Sequence, residues 1–321
     1  MSHFPASSPP IGVSILIPTH NRAAILARTL ESLAALVVPP GTPVEVVVVA
    51  NACTDNTVAV VGAHAPRLAM PLRCIPEPTP GLSVARNRAV AEARHDLLVF
   101  LDDDVRVDPG LLVAHLSLFA EHGADLTAGR VALWWEEVAD PGWLSAGMKT
   151  ALGHYDLGPG IVPVPSGEVR GCNFAFRRSV FDKVGPFHAA LGRTGTGLLA
   201  GEEVFFSSAA IRAGFRCVYS GAAAIEHWVP ARRVDPAYLA KVSAGSAYSI
   251  ELLRPRCTPI TVARSVIMGL VRVVGFSVLA PLATAAGQQS RAIYARVQRA
   301  VGIGQIRGVL ARVRNGPLVS A

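Results

Sequence analysis

The sequence predicts an α/β domain, a mostly parallel sheet flanked by helices, with a basic helical extension at its C-terminal end. Three observations carry that prediction. From Val13 onward, β-branched runs and helix-period segments alternate at intervals of roughly 25–30 residues, the rhythm of βαβ units. The runs "VSILIP", "VEVVVVA" and "DLLVFL" are short, continuously apolar and bounded by turn residues, as strands buried on both faces are. Beyond Leu252 the composition changes: ten arginines, no lysine and no carboxylate in the last 70 of 321 residues.

The elements follow in order. After "VSILIP", Asn21-Arg22 opens the helix "AAILARTLESLAAL", with Ile25, Leu26, Leu30 and Leu33 at helical spacing. "PPGTP" breaks the chain before "VEVVVVA". Thr54 is the expected N-cap of the next helix, with Asp55 in its first turn. A weaker strand, "LRCI", leads through "PEPTPGL" to the helix "SVARNRAVAEA". "DLLVFL" then ends in three aspartates, and Asp108-Pro109 starts the helix "GLLVAHLSLFAEHG". The second half is looser: a strand "LTAGRVALWW", an aperiodic stretch over 136–168, a strand "RGCNFAFRR", a short helix, a Gly-rich loop over 192–201, a helix from Glu203 to Ala213 and a strand "CVYSGAAAIEHW". The expected organisation is a Pro/Ser-rich tail over 1–12, one domain over 13–235 with a nucleotide-binding half (13–130) and an acceptor half (131–235), and a basic, apolar helical tail over 236–321.

Composition narrows the function. At 51% hydrophobic and 17% charged residues the chain can bury a sizeable core. Its five cysteines are odd in number and scattered without C-x-x-C, which argues against a disulfide framework or a zinc knuckle and suits a reducing compartment. The opening residues lack a signal-peptide pattern, so the expectation is a cytoplasmic protein. No G-x-G-x-x-G and no G-x-x-x-x-G-K-[ST] is present, which disfavours dinucleotide oxidoreductases and P-loop NTPases.

In open α/β sheets ligands bind beyond the carboxyl ends of the parallel strands. "PTHNR", "ANACTD" and "DDD" should therefore line one crevice. Adjacent carboxylates repel, and burial raises the cost of ionising them, so something positive must complete the triplet. Asp102 and Asp104, two residues apart in extended chain, point to one side and can share a hard cation such as Mg2+ or Mn2+ that bridges diphosphate oxygens. A solvated acidic turn is the alternative.

The segments "SILIPTHNR", "VVVVANACTDNT", "GLSVARNRAV", "FLDDDV" and "GEEVFFSSAAIRAGFRCVYSGAAAIEH" resemble, in that order and spacing, the signature segments of family 2 glycosyltransferases. The resemblance covers about two-thirds of the chain, residues 12–230. It implies the GT-A fold, a Rossmann-like single α/β domain around a nucleotide-binding sheet, and the roles that follow. Pro18 and Thr19 approach the base and ribose of a nucleotide-sugar donor. The turn from Ala50 to Asp55, with Asn51 and Asp55, holds the base. Arg86 reaches ribose or diphosphate, and Asp103 contacts ribose. Asp102 and Asp104 serve a divalent cation, with His227 where some relatives supply a third ligand. Glu203 falls at the general base, usually the Asp of an E-D pair and here the second residue of Glu202-Glu203. Such a base supports single displacement with inversion. Ala50 departs from the usual base-binding Asp, which leaves the nucleotide open.

Weaker acceptor candidates are Trp134, Trp143, Asn173 and Glu202, each with a plainer reading as core filling, a satisfied buried amide or a helix-start acid. The acceptor class expected is a glycan, a lipid-linked sugar or a small molecule. In the tail, "SVIMGLVRVVGFSVLAPLATAAG" is long enough to span a bilayer, but Arg272 interrupts it and Pro281 kinks it. The helix beyond it gathers Ile293, Val297, Ala300 and Val301 near one face. Residues 252–321 thus read as a surface that docks on anionic membrane from the cytoplasmic side, packing on the protein itself being the alternative. With no recognisable module, no nucleic acid is expected. Two rival functions remain open at this level: a Mg2+-dependent nucleotidyltransferase on a related sheet, and a sugar-nucleotide-binding protein without catalysis.

Overall fold

The computed structural model describes residues 12–189, 191–192, 201–254 and 258–316. Residues 1–11 and 193–200, read above as a Pro/Ser-rich tail and the body of a Gly-rich loop, lie outside the described residues. The described residues form two compact units, the first from 12–132, 155–189 and 206–227, the second from 133–154, 191–192, 201–205, 228–254 and 258–316.

The first unit is built on one sheet. Its strands are β1 (Val13–Thr19), β2 (Val44–Asn51), β3 (Leu72–Glu77), β4 (Leu97–Leu101), β5 (Val105–Val107), β6 (Leu126–Trp134), β7 (Ile161–Pro163), β8 (Asn173–Arg177) and β9 (Cys217–Trp228). The order is β3-β2-β1-β4-β8-β6-β9-β5, with β7 beside β9. The strands β3-β2-β1-β4 are parallel, joined by the helices α1 (Ala23–Leu33), α2 (Thr57–His64) and α3 (Leu82–Glu92). β1, β2 and β4 are buried throughout, which is why their sequences run continuously apolar.

β8 pairs antiparallel with β4 and with β6, and β9 pairs antiparallel with β5 and with β7, so the whole sheet is mixed. α4 (Leu111–Glu121) follows β5, and α6 (Arg178–Val184) follows β8. Phe100 of β4 stacks on Phe174 of β8 at 5.2 Å, and Phe176, Phe187 and Phe206 close the cluster. Each fully buried ring of this kind contributes about 2–3 kcal/mol by removal of apolar surface from water. Phe206 lies in α7 (Glu202–Arg212), so this cluster anchors that helix.

The second unit collects α5 (Ala146–Ala151), α8 (Pro236–Leu253), α9 (Pro259–Ala285) and α10 (Gln289–Asn315). Its core joins Leu144, Met148 and Leu152 to Val229, Leu239, Ile293 and Val297. Residues 133–154, aperiodic in sequence, thus pack with the C-terminal helices. α9 and α10 approach closely where Gly302 meets the Gly269 carbonyl; a Cβ at Gly302 would stand 2.7 Å from that oxygen. Inside this unit Glu251 of α8 is buried between Arg254 at 3.4 Å and Arg312 at 3.6 Å.

Candidate active site

The carboxyl ends of β1, β2 and β4 bring their following loops together. Asn21, at φ +51°, accepts at Oδ1 from the amides of Thr54 (2.7 Å) and Asp55 (3.2 Å). His20 Nδ1 lies 2.6 Å from the Asn51 carbonyl, and the Asn21 amide donates to Cys53 Sγ at 3.4 Å. Asp55 accepts from the Ala23 amide at 3.0 Å and from the Thr57 amide and hydroxyl at 3.2 and 2.5 Å, so one carboxylate caps the starts of both α1 and α2. Burial pushes the Asp55 carboxyl up, but these donors outweigh it and hold it below the ordinary range. The expected cap Thr54 is displaced: α2 begins later, at Thr57, the cap position falls to Asn56 with no side-chain hydrogen bond, and Asp55 takes the Thr57 amide instead.

The aspartate triplet is held by side chains from three directions. Thr19 donates to Asp103 Oδ2 at 2.6 Å, and Thr29 of α1 donates to the Asp103 carbonyl at 2.8 Å. Arg22 bridges two carboxylates, Nη1 to Asp103 Oδ1 and Nη2 to Asp104 Oδ2, both at 2.7 Å. Burial pushes the Asp103 carboxyl up to about 7 against the pull of the Arg22 guanidinium. On Arg22 itself burial opposes the charge, and Asp104 and Asp103 outweigh it, raising its pKa. Arg86, 1% exposed among Phe100, Phe174 and Phe187, stands 3.7 Å from Asp102 Oδ1 and donates to the Gly171 carbonyl at 3.2 Å. Gly171 leaves room for it: a Cβ there would stand 2.2 Å from Arg86 Nη2, so the guanidinium would have to shift.

β9 supplies the last member. β5 starts immediately after the triplet and pairs with β9 so that Val105 faces His227, which sets His227 Nε2 3.3 Å from Asp104 Oδ1. Asp102, Asp104 and His227 each offer a ligand atom within 4.8 Å of the others. Two carboxylates and an imidazole at that spacing fit a small divalent cation, the oxygens suiting Mg2+ or Mn2+ and the nitrogen favouring the latter.

Other expected site residues fall elsewhere. Asn51 is spent on the loop after β3, donating to the Thr79 carbonyl (2.7 Å) and accepting from the Gly81 amide (2.8 Å), so it shapes the crevice wall instead of reading a base edge. Asp55 is likewise committed to its two helix starts. Pro18 is buried inside β1 opposite Val49. Arg86 lies beneath Asp102 and does not open to the crevice. Asn173 is 0% exposed; its amide accepts from or donates to His115, the Arg130 carbonyl and the Ala223 carbonyl, which excludes an acceptor contact. Trp134 is buried, and Trp143 is half-buried against the second unit's core. Of the pair that opens α7, Glu202 is buried and Glu203 half-exposed.

The family model described as glycosyl transferase family 2 matches residues 14–185. The chain belongs to glycosyl transferase family 2. The succinoglycan biosynthesis protein ExoM of Rhizobium meliloti is 30% identical over 233 residues, covering 71% of each chain. Among solved structures, a mannosyltransferase from Pyrobaculum calidifontis in complex with GDP-Man and Mn2+ superposes with a TM-score of 0.63 at 18% identity, over 97% of this chain and 89% of that one. Staphylococcus aureus TarS 1-349 with UDP-GlcNAc superposes with a TM-score of 0.53 at 18% identity, over 95% and 92%. This family 2 member is therefore a glycosyltransferase with the GT-A fold, and the nucleotidyltransferase and binding-only readings are set aside.

Proposed function

We propose that this glycosyltransferase moves a sugar from a nucleoside-diphosphate donor to an acceptor hydroxyl by single displacement with inversion. The observation that carries the proposal is the convergence of Asp102, Asp104 and His227 at the carboxyl end of β4. When bound by these three residues, Mn2+ or Mg2+ supplies charge compensation for the departing nucleoside diphosphate. Arg86 acts on the donor through Asp102, whose carboxylate it fixes. Thr19 and Asp103, already hydrogen-bonded to each other, meet the ribose. Glu203, in the first turn of α7, is the base that takes the proton from the attacking hydroxyl in this reading. The nucleotide sugars held by the two structural neighbours, GDP-Man and UDP-GlcNAc, support a nucleotide-sugar donor for this chain. The succinoglycan relative points to an envelope or secreted glycan as the product, with a glycan or lipid-linked acceptor.

The setting proposed is peripheral, at the cytoplasmic face of a membrane. α10 buries Ile293 and Val297 in the second unit's core and exposes Leu310 and Val313 farther along. The larger exposed apolar surface belongs to α9, with Ile267, Val271, Val274, Val278 and Leu282 all more than half exposed. α9 is long and apolar enough to cross a membrane, and Arg272 does not interrupt its outer face: it donates to Gln305 of α10 at 2.6 Å. Beside it, however, α10 exposes Arg291, Arg296, Arg299, Arg307 and Arg314. Sinking those guanidiniums into hydrocarbon costs several kcal/mol each, so α9 lies in the interface with the arginines at headgroup level.

The test of the chemistry is release of nucleoside diphosphate from a panel of UDP- and GDP-sugars with Mn2+, in the wild type and Glu203→Gln. The substitution should abolish transfer while donor binding survives; transfer that persists removes Glu203 as the base.

A further inference from the structure

Arg22 makes the shortest ion pairs at the triplet, yet the mechanism above gives it no task. One guanidinium bridges Asp103 and Asp104 at 2.7 Å each, and its side chain is about one-quarter exposed against 6% and 1% for the carboxylates. Committing Asp104 Oδ2 to Arg22 leaves Oδ1 as the oxygen turned toward His227. Arg86 adds a second guanidinium, beside Asp102. Even with all three carboxylates ionised, the two guanidiniums leave one net negative charge among these described residues, too little to hold a dication firmly by itself. A nucleoside diphosphate would bring the missing negative charge. We infer that Arg22 sets the charge of this site so that the divalent cation enters with the donor's diphosphate and not alone. The inference rests on the metal-site reading above.

Three variants separate charge from support. Arg22→Gln leaves two net negative charges and should hold Mn2+ alone more tightly. Arg22→Lys keeps the charge but cannot fork to both carboxylates. The pair Arg22→Gln with Asp103→Asn puts a neutral amide pair where the ion pair stood and returns the net charge to that of the wild type.

The measurement is titration of the full chain with Mn2+, free ion followed by electron paramagnetic resonance, with and without UDP or GDP. Wild type and Arg22→Lys should bind Mn2+ weakly alone and more tightly with the matching nucleotide. Arg22→Gln should bind Mn2+ alone roughly tenfold more tightly, the scale expected from removing a like charge a few ångströms away, with a smaller gain from nucleotide. The double variant should return to wild-type behaviour. A residue that merely supports the loop would weaken Mn2+ binding on substitution and would not be rescued by a second charge change. The inference is overturned if Arg22→Gln binds Mn2+ no more tightly than wild type, or if the double variant behaves like Arg22→Gln. Should Arg22→Gln fail to fold, double-variant affinity unlike that of the wild type overturns it equally. A wild type that takes up no Mn2+ with either nucleotide removes the metal-site reading itself, whereas normal uptake with an unresponsive Arg22→Gln removes only the role of Arg22.

Discussion

At Asn173 both ends of the amide are used inside the first unit, on His115 Nε2 at 3.1 Å and on the carbonyls of Arg130 and Ala223. Truncation to Ala orphans these buried partners, at about 1–3 kcal/mol for each unsatisfied group. Asn173→Ala should therefore lower stability in denaturant melts by at least about 2 kcal/mol and leave the acceptor KM unchanged; a raised KM at unchanged stability would restore an acceptor contact. Gly171 makes the opposite case, a residue whose missing side chain matters. Gly171→Ala drives a methyl into Arg86, so overpacking of about 1–3 kcal/mol is expected, together with a weaker Mn2+-dependent stabilisation by nucleotide, since Asp102 loses its buried support. A variant with wild-type melting and wild-type ligand response would contradict the placement of Arg86. The sequence announced Asp102 and Asp104 because they sit two residues apart within one triplet. Arg22 was not legible as the partner of Asp103 and Asp104, since its ion pairs close across 81 and 82 positions that no local pattern links.

Among the elements, α4 is tied to β6 and β8 by one imidazole. His115 Nδ1 lies 2.8 Å from Thr127 Oγ1, and burial pushes its pKa down from 6.5 to about 4. The unfolded chain takes up the proton first as pH falls, so the contribution of neutral His115 is complete above about 6.5 and is lost progressively toward 4. Integrated over that window the loss approaches 3 kcal/mol, at about 1.4 kcal/mol per pH unit. Melting curves from pH 7.5 to 4 (a range of order 3 units) should fall more steeply for the wild type than for His115→Gln; parallel curves would show that this imidazole is not the titrating link. The parallel strands and their helices were legible in the sequence because long periodic segments declare themselves. β5, β7 and α5, of three, three and six residues, are too short to carry a period. β5 is nonetheless the element that delivers His227 to Asp104, so the site's third corner came from family resemblance and not from pattern.

On the scale of the molecule, the tail was legible as basic and apolar, but which helix faces outward was not. Packing decided it: α10 buries Ile293 and Val297 in the second unit's core and exposes Leu310 and Val313, while α9 is left with the larger exposed apolar face. Co-sedimentation with anionic vesicles should therefore be strong for the wild type, weaker for Val271→Asp with Val278→Asp, and partly reversed by salt; binding unaffected by those substitutions would put the contact elsewhere. The nucleotide is the feature least legible in the chain, because Ala50 removes the carboxylate that would have named a base and Asn51 is committed to the loop after β3. The central claim, that the triplet is a metal-assisted donor site, is tested most directly by melting the protein with UDP and GDP, each with and without Mn2+, in the wild type and Asp104→Ala. A hundredfold excess over Kd stabilises by roughly 2.7 kcal/mol, a readable shift. The account predicts a Mn2+-dependent rise in Tm with one of these nucleotides that Asp104→Ala abolishes; a rise that survives Asp104→Ala, or none with either nucleotide, would contradict it.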